Sequence, residues 1–268
     1  ADLAQAAKSD ALLLAVPAQF VRAVCTALAP HLEDGTPVVI CTKGIEQSSG
    51  ALMTEVVGDA LPGAVLAVMS GPTLAPEVAA GLPTAVTLAC ADPEVGERLT
   101  QALGSPAFRP YGSSDLIGAQ IGGATKNVFA IACGIVSGRE IGEDGRAAVI
   151  TRGMAELMRM GREMGAQADT LMGLSGMGDL VLTCTSAQSR NQSLGVALGQ
   201  GQSLEEILAA RSSVAEGVFT AGAVMTLAEK LEIEMPLCAA VDAIVNHGTD
   251  IGEVIHGLLS RPFRSESI

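Results

Sequence analysis

The sequence predicts an α/β domain with a doubly wound, mostly parallel sheet, followed by an all-helical domain. Short apolar runs alternate with helical patterns to about residue 118, and beyond that point the strand pattern stops. The 268 residues include five phenylalanines, one tyrosine and no tryptophan. The core therefore has to be aliphatic, which suits helices and buried parallel strands. We expect residues 1–118 to form the α/β domain and residues 119–268 the helical domain.

Five segments carry the strand pattern. They are short, mostly rich in Val and Leu, and bounded by Pro, Gly or Asp. These segments are residues 11–16, 37–41, 64–70, 84–89 and 107–111. Helical patterns separate most of them, and this alternation is typical of a doubly wound parallel sheet.

The second half of the chain has helical apolar spacing interrupted by short glycine-rich turns. We expect helices over residues 123–138, 144–165, 189–199, 203–210, 214–231, 236–246 and 250–260. The first of these follows Gly122 and Gly123, so Lys126 is predicted on its first turn. Such a lysine either lies along apolar surface with its ammonium in water or is a charge held in a site.

Charge and cysteine content exclude several classes of function. The net charge is −13, from 16 basic and 29 acidic residues, which argues against general binding to nucleic acid or anionic membranes. An anionic substrate would then have to be bound by a few basic side chains at specific positions. The six cysteines show no CxxC or Cys/His ligand spacing, so we expect small core residues, no metal site and a reducing compartment. We expect a cytoplasmic protein without stable membrane insertion.

Three of the predicted strands end in residues that suit ligand binding, because open α/β sheets bind ligands outside the carboxyl ends of their strands. Pro17 follows the first strand, and Lys43 with Gly44 follows the second. Gly71 follows the third, where Thr73 is predicted to start a short helix that favours an anion. Lys43 can equally be a solvated loop lysine.

The helical half contains one isolated charged residue and one polar cluster that suit a binding site. Asp179 is enclosed by apolar residues, so it needs a partner for its charge, or it caps a helix that begins at Leu180. Ser189, Arg190 and Asn191 precede another helix. An arginine flanked by a hydroxyl and an amide at a helix N-terminus suits a phosphate, although a capped surface helix has the same pattern.

Taken in order, the motifs TKG, SGPT, GGATKN and GDLVLTCTSAQSRN and the pair Glu216-Gly217 resemble NAD(P)-dependent glycerol-3-phosphate dehydrogenase of the bacterial type. The resemblance runs from about residue 10 to about residue 245. It implies a Rossmann-type nucleotide-binding domain, a helical substrate domain and NAD or NADP as cofactor. The implied reaction interconverts dihydroxyacetone phosphate and sn-glycerol 3-phosphate, for phospholipid synthesis.

The resemblance also implies roles for individual residues. Lys126 is the expected acid/base catalyst, with Lys43 as a second cation that lowers its pKa and Asp179 as the carboxylate that orients it. The residues expected to bind substrate are Lys43, Gly71, Thr73, Lys126, Asp179, Thr183, Ser189, Arg190 and Asn191. Those expected to bind the cofactor are Lys43, Ala75, Arg190, Val214 and Glu216, to which the position after the first strand adds Pro17.

The front of the chain departs from the family pattern, because no G-x-G-x-x-G follows a strand. We therefore expect the first two strand–helix units of the Rossmann domain to be absent. Two alternatives stay open at this point. One is another dehydrogenase of the same plan, acting on a β-hydroxy acid or a sugar acid phosphate. The other is a non-catalytic, truncated binding or dimerisation module. The expected partner is a small-molecule substrate, and the sequence leaves a homodimer open.

Overall fold

The computed structural model describes residues 2–210, 216–263 and 265. The chain divides into two compact units. Unit 1 comprises the residues up to Ala124 together with Gly165–Asp179. Unit 2 comprises Thr125–Met164 and the residues from Leu180 onward. The functional division at residues 118 and 119 stays a prediction.

Unit 1 contains one five-stranded sheet, which confirms the predicted α/β class. Its strands are β1 (Leu12–Leu14), β2 (Pro37–Ile40), β3 (Val65–Ser70), β4 (Thr84–Cys90) and β5 (Phe108–Ser113). They lie in the order β1-β2-β3-β4-β5. All five predicted strands are present, within a few residues of their expected bounds.

One strand pair departs from the parallel arrangement. β4 runs antiparallel to β3, with Ser70 opposite Thr87, whereas the other three neighbouring pairs are parallel. The connection between β3 and β4 contains only the five-residue helix Ala75–Ala79, which is about 8 Å long. Because β3 spans about 20 Å, this helix does not carry the chain back along the sheet, and β4 starts near the end of β3.

The α-helices are numbered in chain order. They are α1 (Leu3–Ala6), α2 (Val21–Leu28), α3 (Met53–Ala60), α4 (Ala75–Ala79), α5 (Pro93–Leu103), α6 (Leu116–Gly138), α7 (Glu143–Met164), α8 (Ala168–Met172), α9 (Asp179–Thr185), α10 (Arg190–Gly199), α11 (Leu204–Ala209), α12 (Glu216–Lys230), α13 (Pro236–Val245) and α14 (Ile251–Leu259). Short 3₁₀ turns cover Ala18–Phe20 and Ala29–His31, and a π-helical turn covers Leu174–Gly178.

Apolar residues cover both faces of the sheet, as a doubly wound fold requires. Along β2 the side chains alternate, because successive residues of a strand point to opposite faces. Val38 and Ile40 join a cluster with residues of α2 and α3. Val39 joins a second cluster with Val95 and Leu99 of α5.

Helix α6 begins earlier than the sequence pattern predicts. It starts at Leu116, and the Asp115 carboxylate accepts the N–H of Gly118 at 2.8 Å. Lys126 therefore lies in the middle of the helix, and its predicted place on the first turn is wrong. Gly122 lies inside this helix and does not form a turn. It permits the carbonyl oxygen of Ser175 to approach the helix closely, because a Cβ at this position would lie 2.2 Å from that oxygen.

Residues 165–179 pack in unit 1, although the sequence places them in the helical domain. The second carboxylate oxygen of Asp115 accepts the N–H of Gln167 at 2.8 Å. Together with the contact between Gly122 and Ser175, this bond joins the segment to the start of α6. Neither interaction has a signature in the local sequence pattern.

The other predicted helices of the second half are present, with ends set by capping side chains. Ser189, Ser203 and Asp250 each accept a backbone N–H of the helix that follows. The helix expected over 214–231 is observed as α12, and residues 211–215 lie outside the described part of the chain.

Within the described residues, one helix is long and apolar enough to cross a membrane. This helix is α6, and 83% of its apolar 18-residue stretch is buried inside the structure. Helices in the cores of globular proteins meet the same criteria.

All six cysteines are free. Burial raises the pKa of both Cys25 and Cys41 to about 11, so these thiols stay protonated at neutral pH. The thiolate is the reactive form of cysteine. These two cysteines therefore act as small packing residues.

Unit 2 contains a buried carboxylate that holds the start of α13. Glu156 of α7 is 2% exposed, and its two carboxylate oxygens accept the N–H groups of Leu237 at 2.6 Å and Cys238 at 3.2 Å. Burial raises the pKa of Glu156 from 4.5 to about 7, although the two N–H groups oppose that shift.

Because the folded protein binds this proton more tightly than the unfolded chain, the contribution of Glu156 to stability is complete below pH 4.5 and is lost as the pH rises toward 7. We expect Glu156→Gln to flatten the decline in unfolding free energy over this range. The slopes should differ by at most about 1.4 kcal/mol per pH unit. Urea unfolding at a series of pH values measures both slopes. Glu253→Gln, at an exposed position of α14, controls for the loss of one carboxylate. Parallel pH profiles for wild type and Glu156→Gln would contradict the prediction.

Candidate active site

The carboxyl end of β2 carries a buried ion pair. Lys43 Nζ donates to Asp179 Oδ2 at 2.6 Å and to the carbonyl oxygen of Gly71 at 3.2 Å. The Asp179 side chain is fully buried, and the Lys43 side chain is 21% exposed. Lys43 is therefore not an ordinary solvated loop lysine. The Asp179 carboxylate is paired with the Lys43 ammonium. Helix α9 begins at Asp179 and not at Leu180.

The loop after β3 meets the same lysine. Thr73 Oγ1 donates to the carbonyl oxygen of Gly71 at 3.2 Å, so this oxygen accepts bonds from both Thr73 and Lys43. A Cβ on Gly71 would lie 2.9 Å from Cα of Val86, and only glycine fits there. The predicted helix start at Thr73 is wrong, because α4 begins at Ala75 and has five residues.

The ends of β1 and β2 are joined by a hydroxyl group. Thr42 Oγ1 donates to the carbonyl oxygen of Val16 at 2.7 Å. Pro17 comes next in the chain and is exposed. A Cβ on Gly44 would lie 2.8 Å from that of Ala18, so the two loops pack closely.

In unit 2, the central part of α6 carries a buried lysine. Lys126 is 7% exposed and Asn127 is 5% exposed. A lysine with its ammonium in water would expose more of its side chain. The structure therefore favours a charge held inside the protein over the alternative of a solvated ammonium.

The start of α10 is tied to α12 by an amide. Asn191 Oδ1 accepts the N–H of Gly217 at 3.0 Å, and a Cβ on Gly217 would lie 2.9 Å from the carbonyl oxygen of Asn127. Glu216, the first residue of α12, immediately precedes this contact. Unit 2 thus brings together Asn127, Asn191 and Gly217 from three helices.

The remaining predicted residues of unit 2 lie around α9 and α10. Ser189 caps α10 by accepting the N–H of Gln192 at 3.2 Å. Arg190 is the exposed first residue of α10, and Thr183 is half-buried on α9. Val214 lies outside the described residues.

α6 and α10 approach each other backbone to backbone. A Cβ on Gly134 would lie 2.1 Å from the carbonyl oxygen of Gln192, and one on Gly195 would lie 2.1 Å from that of Ile131. This packing sets the distance between the two helices that carry Asn127 and Asn191.

Sequence reasoning missed two residues beside Lys43. Ser70 closes β3, and Gly123 faces it from α6, where a Cβ would lie 3.0 Å from Ser70 Oγ and 3.2 Å from Lys43 Cγ. The serine stands directly before Gly71 in the motif SGPT, so its place at a strand end was the available signal. Ala75 of α4 is exposed.

Two sequence models of one protein family match separate parts of the chain. The sequence model of the NAD-dependent glycerol-3-phosphate dehydrogenase N-terminus matches residues 1–96, and that of the C-terminus matches residues 115–256. A glycerol-3-phosphate dehydrogenase [NAD(P)+] from Parvibaculum lavamentivorans is 59% identical over 99% of this chain and 80% of the relative. The chain belongs to the NAD-dependent glycerol-3-phosphate dehydrogenase family.

Other members of the family agree with this assignment. The enzyme of the same name from Rhodospirillum rubrum is 56% identical over 99% of this chain and 76% of the relative. A crystal structure of glycerol-3-phosphate dehydrogenase from Coxiella burnetii superimposes with a TM-score of 0.93 at 40% identity, over 97% of this chain and 80% of that one. The predicted Rossmann-type sheet followed by a helical domain is therefore confirmed.

The glycerol-3-phosphate dehydrogenase match also corrects one expectation. We expected the N-terminal part of the Rossmann domain to be absent, and that expectation is wrong, because the family's N-terminal sequence model matches residues 1–96. The absence of a G-x-G-x-x-G motif after a strand is a weak criterion, since one short motif does not define a domain.

The ion pair at the end of β2 has a measurable coupling energy. We expect a double-mutant cycle of Lys43→Met and Asp179→Asn to give about 1.5–3 kcal/mol in unfolding free energy, the range for charge-assisted hydrogen bonds. The matched cycle of Arg146→Met and Glu143→Gln, a pair on the surface of α7, should give less than about 0.5 kcal/mol. Equal coupling in the two cycles would show that burial does not strengthen the Lys43–Asp179 pair.

Proposed function

We propose that this chain is an oxidoreductase that interconverts dihydroxyacetone phosphate and sn-glycerol 3-phosphate with NAD(P)H and NAD(P)+, and so supplies glycerol 3-phosphate for phospholipid synthesis. The observation that carries the proposal is the buried Lys43–Asp179 pair at the carboxyl end of β2. A protein of net charge −13 holds a cation there, where a doubly wound sheet binds its ligands.

The residues at this edge of the sheet fit a nicotinamide nucleotide. Lys43 supplies a positive charge for an anionic ligand, and it follows the carboxyl end of β2, where a doubly wound sheet binds its ligands. The bound cofactor supplies the hydride. The residues proposed to contact it are Pro17, Lys43, Ala75, Arg190, Val214 and Glu216. In this proposal residues 1–118 form the NAD(P)-binding domain and residues 119–268 the helical substrate and catalytic domain.

Lys126 is proposed as the proton donor for reduction. Hydride transfer to a ketone builds negative charge on the carbonyl oxygen, which a positioned acid must neutralise. Support comes from the 7% exposure of Lys126 in the middle of an apolar helix. Lys43 and Asp179 orient the substrate, with Gly71, Thr73 and Thr183 as further contacts.

The substrate phosphate is assigned to Ser189, Arg190 and Asn191. These residues lie at the N-terminus of the ten-residue helix α10, where backbone N–H groups and the helix dipole favour an anion. Binding energy from the phosphate then holds the ketone for reaction. This site favours a phosphorylated triose over a β-hydroxy acid, which carries no phosphate.

The cysteines bear on cellular location. Six free cysteines suit a reducing compartment, and we propose the cytoplasm. A homodimer stays a prediction.

Turnover by the purified chain tests the activity. We expect it to oxidise NADH or NADPH with dihydroxyacetone phosphate and not to oxidise 3-hydroxy acids with NAD+ or NADP+. Lys126→Ala should lower kcat by about 100-fold or more, since a general acid contributes at least that factor. Nucleotide binding, followed by fluorescence, should survive in this variant.

Lys8→Ala, at an exposed position, is the matched control and should keep wild-type turnover. Near-normal turnover in Lys126→Ala would remove that residue from the mechanism. A wild-type chain that shows neither turnover nor saturable nucleotide binding would be a non-catalytic module.

The phosphate assignment is tested by Arg190→Lys. We expect KM for dihydroxyacetone phosphate to rise about 10-fold or more, because a point charge does not replace the two parallel bonds of a guanidinium. KM for the nucleotide should change less. Arg139→Lys, at an exposed arginine after α6, should leave both constants unchanged. An unaltered substrate KM in Arg190→Lys would place the phosphate elsewhere.

A further inference from the structure

Ser70 carries a buried hydroxyl group that the protein does not satisfy. The residue is 4% exposed, and Ser70 Oγ has no hydrogen-bond partner among the described residues. Two other buried hydroxyls of unit 1 are bonded. Thr42 Oγ1 donates to the carbonyl oxygens of Leu14 and Val16, and Ser175 Oγ donates to that of Thr170.

An unmade hydrogen bond in the interior is costly, and each one in a native structure needs an explanation. Alanine at this position would remove the cost without disturbing β3, because Ser70 is the last residue of that strand. A ligand that supplies the missing partner explains why a hydroxyl is present.

The surroundings of Ser70 indicate where such a ligand lies. Gly123 of α6 has no side chain, and a Cβ on it would lie 3.0 Å from Ser70 Oγ and 3.3 Å from Lys43 Cδ. The Ser70 hydroxyl and the aliphatic part of the Lys43 side chain therefore both lie beside Gly123, where α6 has no side chain. Gly71, the next residue after Ser70, accepts a bond from Lys43 Nζ.

Lys43 is the second polar side chain beside Gly123. Its ammonium has three N–H groups, and two of them bond to Gly71 and Asp179. The third N–H belongs to a side chain whose Cγ and Cδ border the same glycine, Gly123, as the Ser70 hydroxyl. A triose carries an oxygen on each of its carbons and can therefore present one oxygen to Lys43 and another to Ser70.

We propose that Ser70 Oγ hydrogen-bonds to an oxygen atom of the triose phosphate substrate beside Lys43, so that Ser70 is a further substrate-binding residue. This inference rests on the proposed function. It adds a residue for which neither the sequence motifs nor the resemblance provides a role.

Ser70→Ala tests the inference. We expect KM for dihydroxyacetone phosphate to rise about 3- to 10-fold, the loss expected for one hydrogen bond between neutral groups, with KM for NADPH unchanged. Ser70→Cys keeps the shape of the side chain, with a slightly larger atom that donates only weakly, and it should raise the same KM to a similar extent.

Thermal unfolding provides a readout that does not depend on turnover. Without ligand, Ser70→Ala should melt at the wild-type temperature or above it, because no bond within the protein is lost. Saturating glycerol 3-phosphate should raise its melting temperature less than that of wild type. Ser137→Ala removes a hydroxyl that donates to the carbonyl oxygen of Cys133 in α6. This control should leave both KM values at wild-type levels.

Three outcomes would overturn the inference. They are a substrate KM within twofold of wild type in Ser70→Ala, a change confined to KM for NADPH, or a ligand-free melting temperature lower than that of Ser137→Ala. A wild-type chain inactive on dihydroxyacetone phosphate would instead refute the proposed function, before any variant is compared.

Discussion

The carboxylate of Asp179 has no exposed surface, and the ammonium of Lys43 lies 2.6 Å from it. A charge in the interior costs free energy unless it is paired and hydrogen-bonded. The pair therefore requires residues 165–179 to pack against the end of β2, although 136 positions separate its two members. The same lysine bonds to Gly71. One interaction thus sets the position of a loop, a strand end and a distant segment of unit 1.

Glycines on α6 permit close packing within each of the two units. In unit 1, Gly122 admits the carbonyl oxygen of Ser175, and Gly123 leaves room for Ser70 and Lys43. In unit 2, Gly134 packs on the backbone of α10. A side chain at any of these positions would collide with backbone or with the binding residues. The apolar composition of α6 therefore serves close packing, and among its polar residues Lys126 is the one to which a catalytic role is assigned.

Much of the fold was predictable from local pattern. All five strands follow the Val- and Leu-rich runs, and the caps Ser189, Ser203 and Asp250 mark the starts of three helices. Errors arose where long-range contacts override a local signal. Gly122 and Gly123 indicate a turn in isolation, yet they lie inside α6. The antiparallel direction of β4 depends on the length of α4, which the pattern did not reveal.

For the site, the sequence proposed Lys126 and Asp179 as charges within apolar runs, Lys43 as a cation at a strand end and Arg190 as a cation before a helix. Which carboxylate faces which cation was not determined there, since a helix cap was the commoner explanation for Asp179 taken alone. Only the folded chain pairs Asp179 with Lys43 and leaves the Ser70 hydroxyl unbonded. The reason is physical. Periodicity and capping depend on neighbours within a few residues, whereas burial and pairing of polar groups depend on segments brought together by packing.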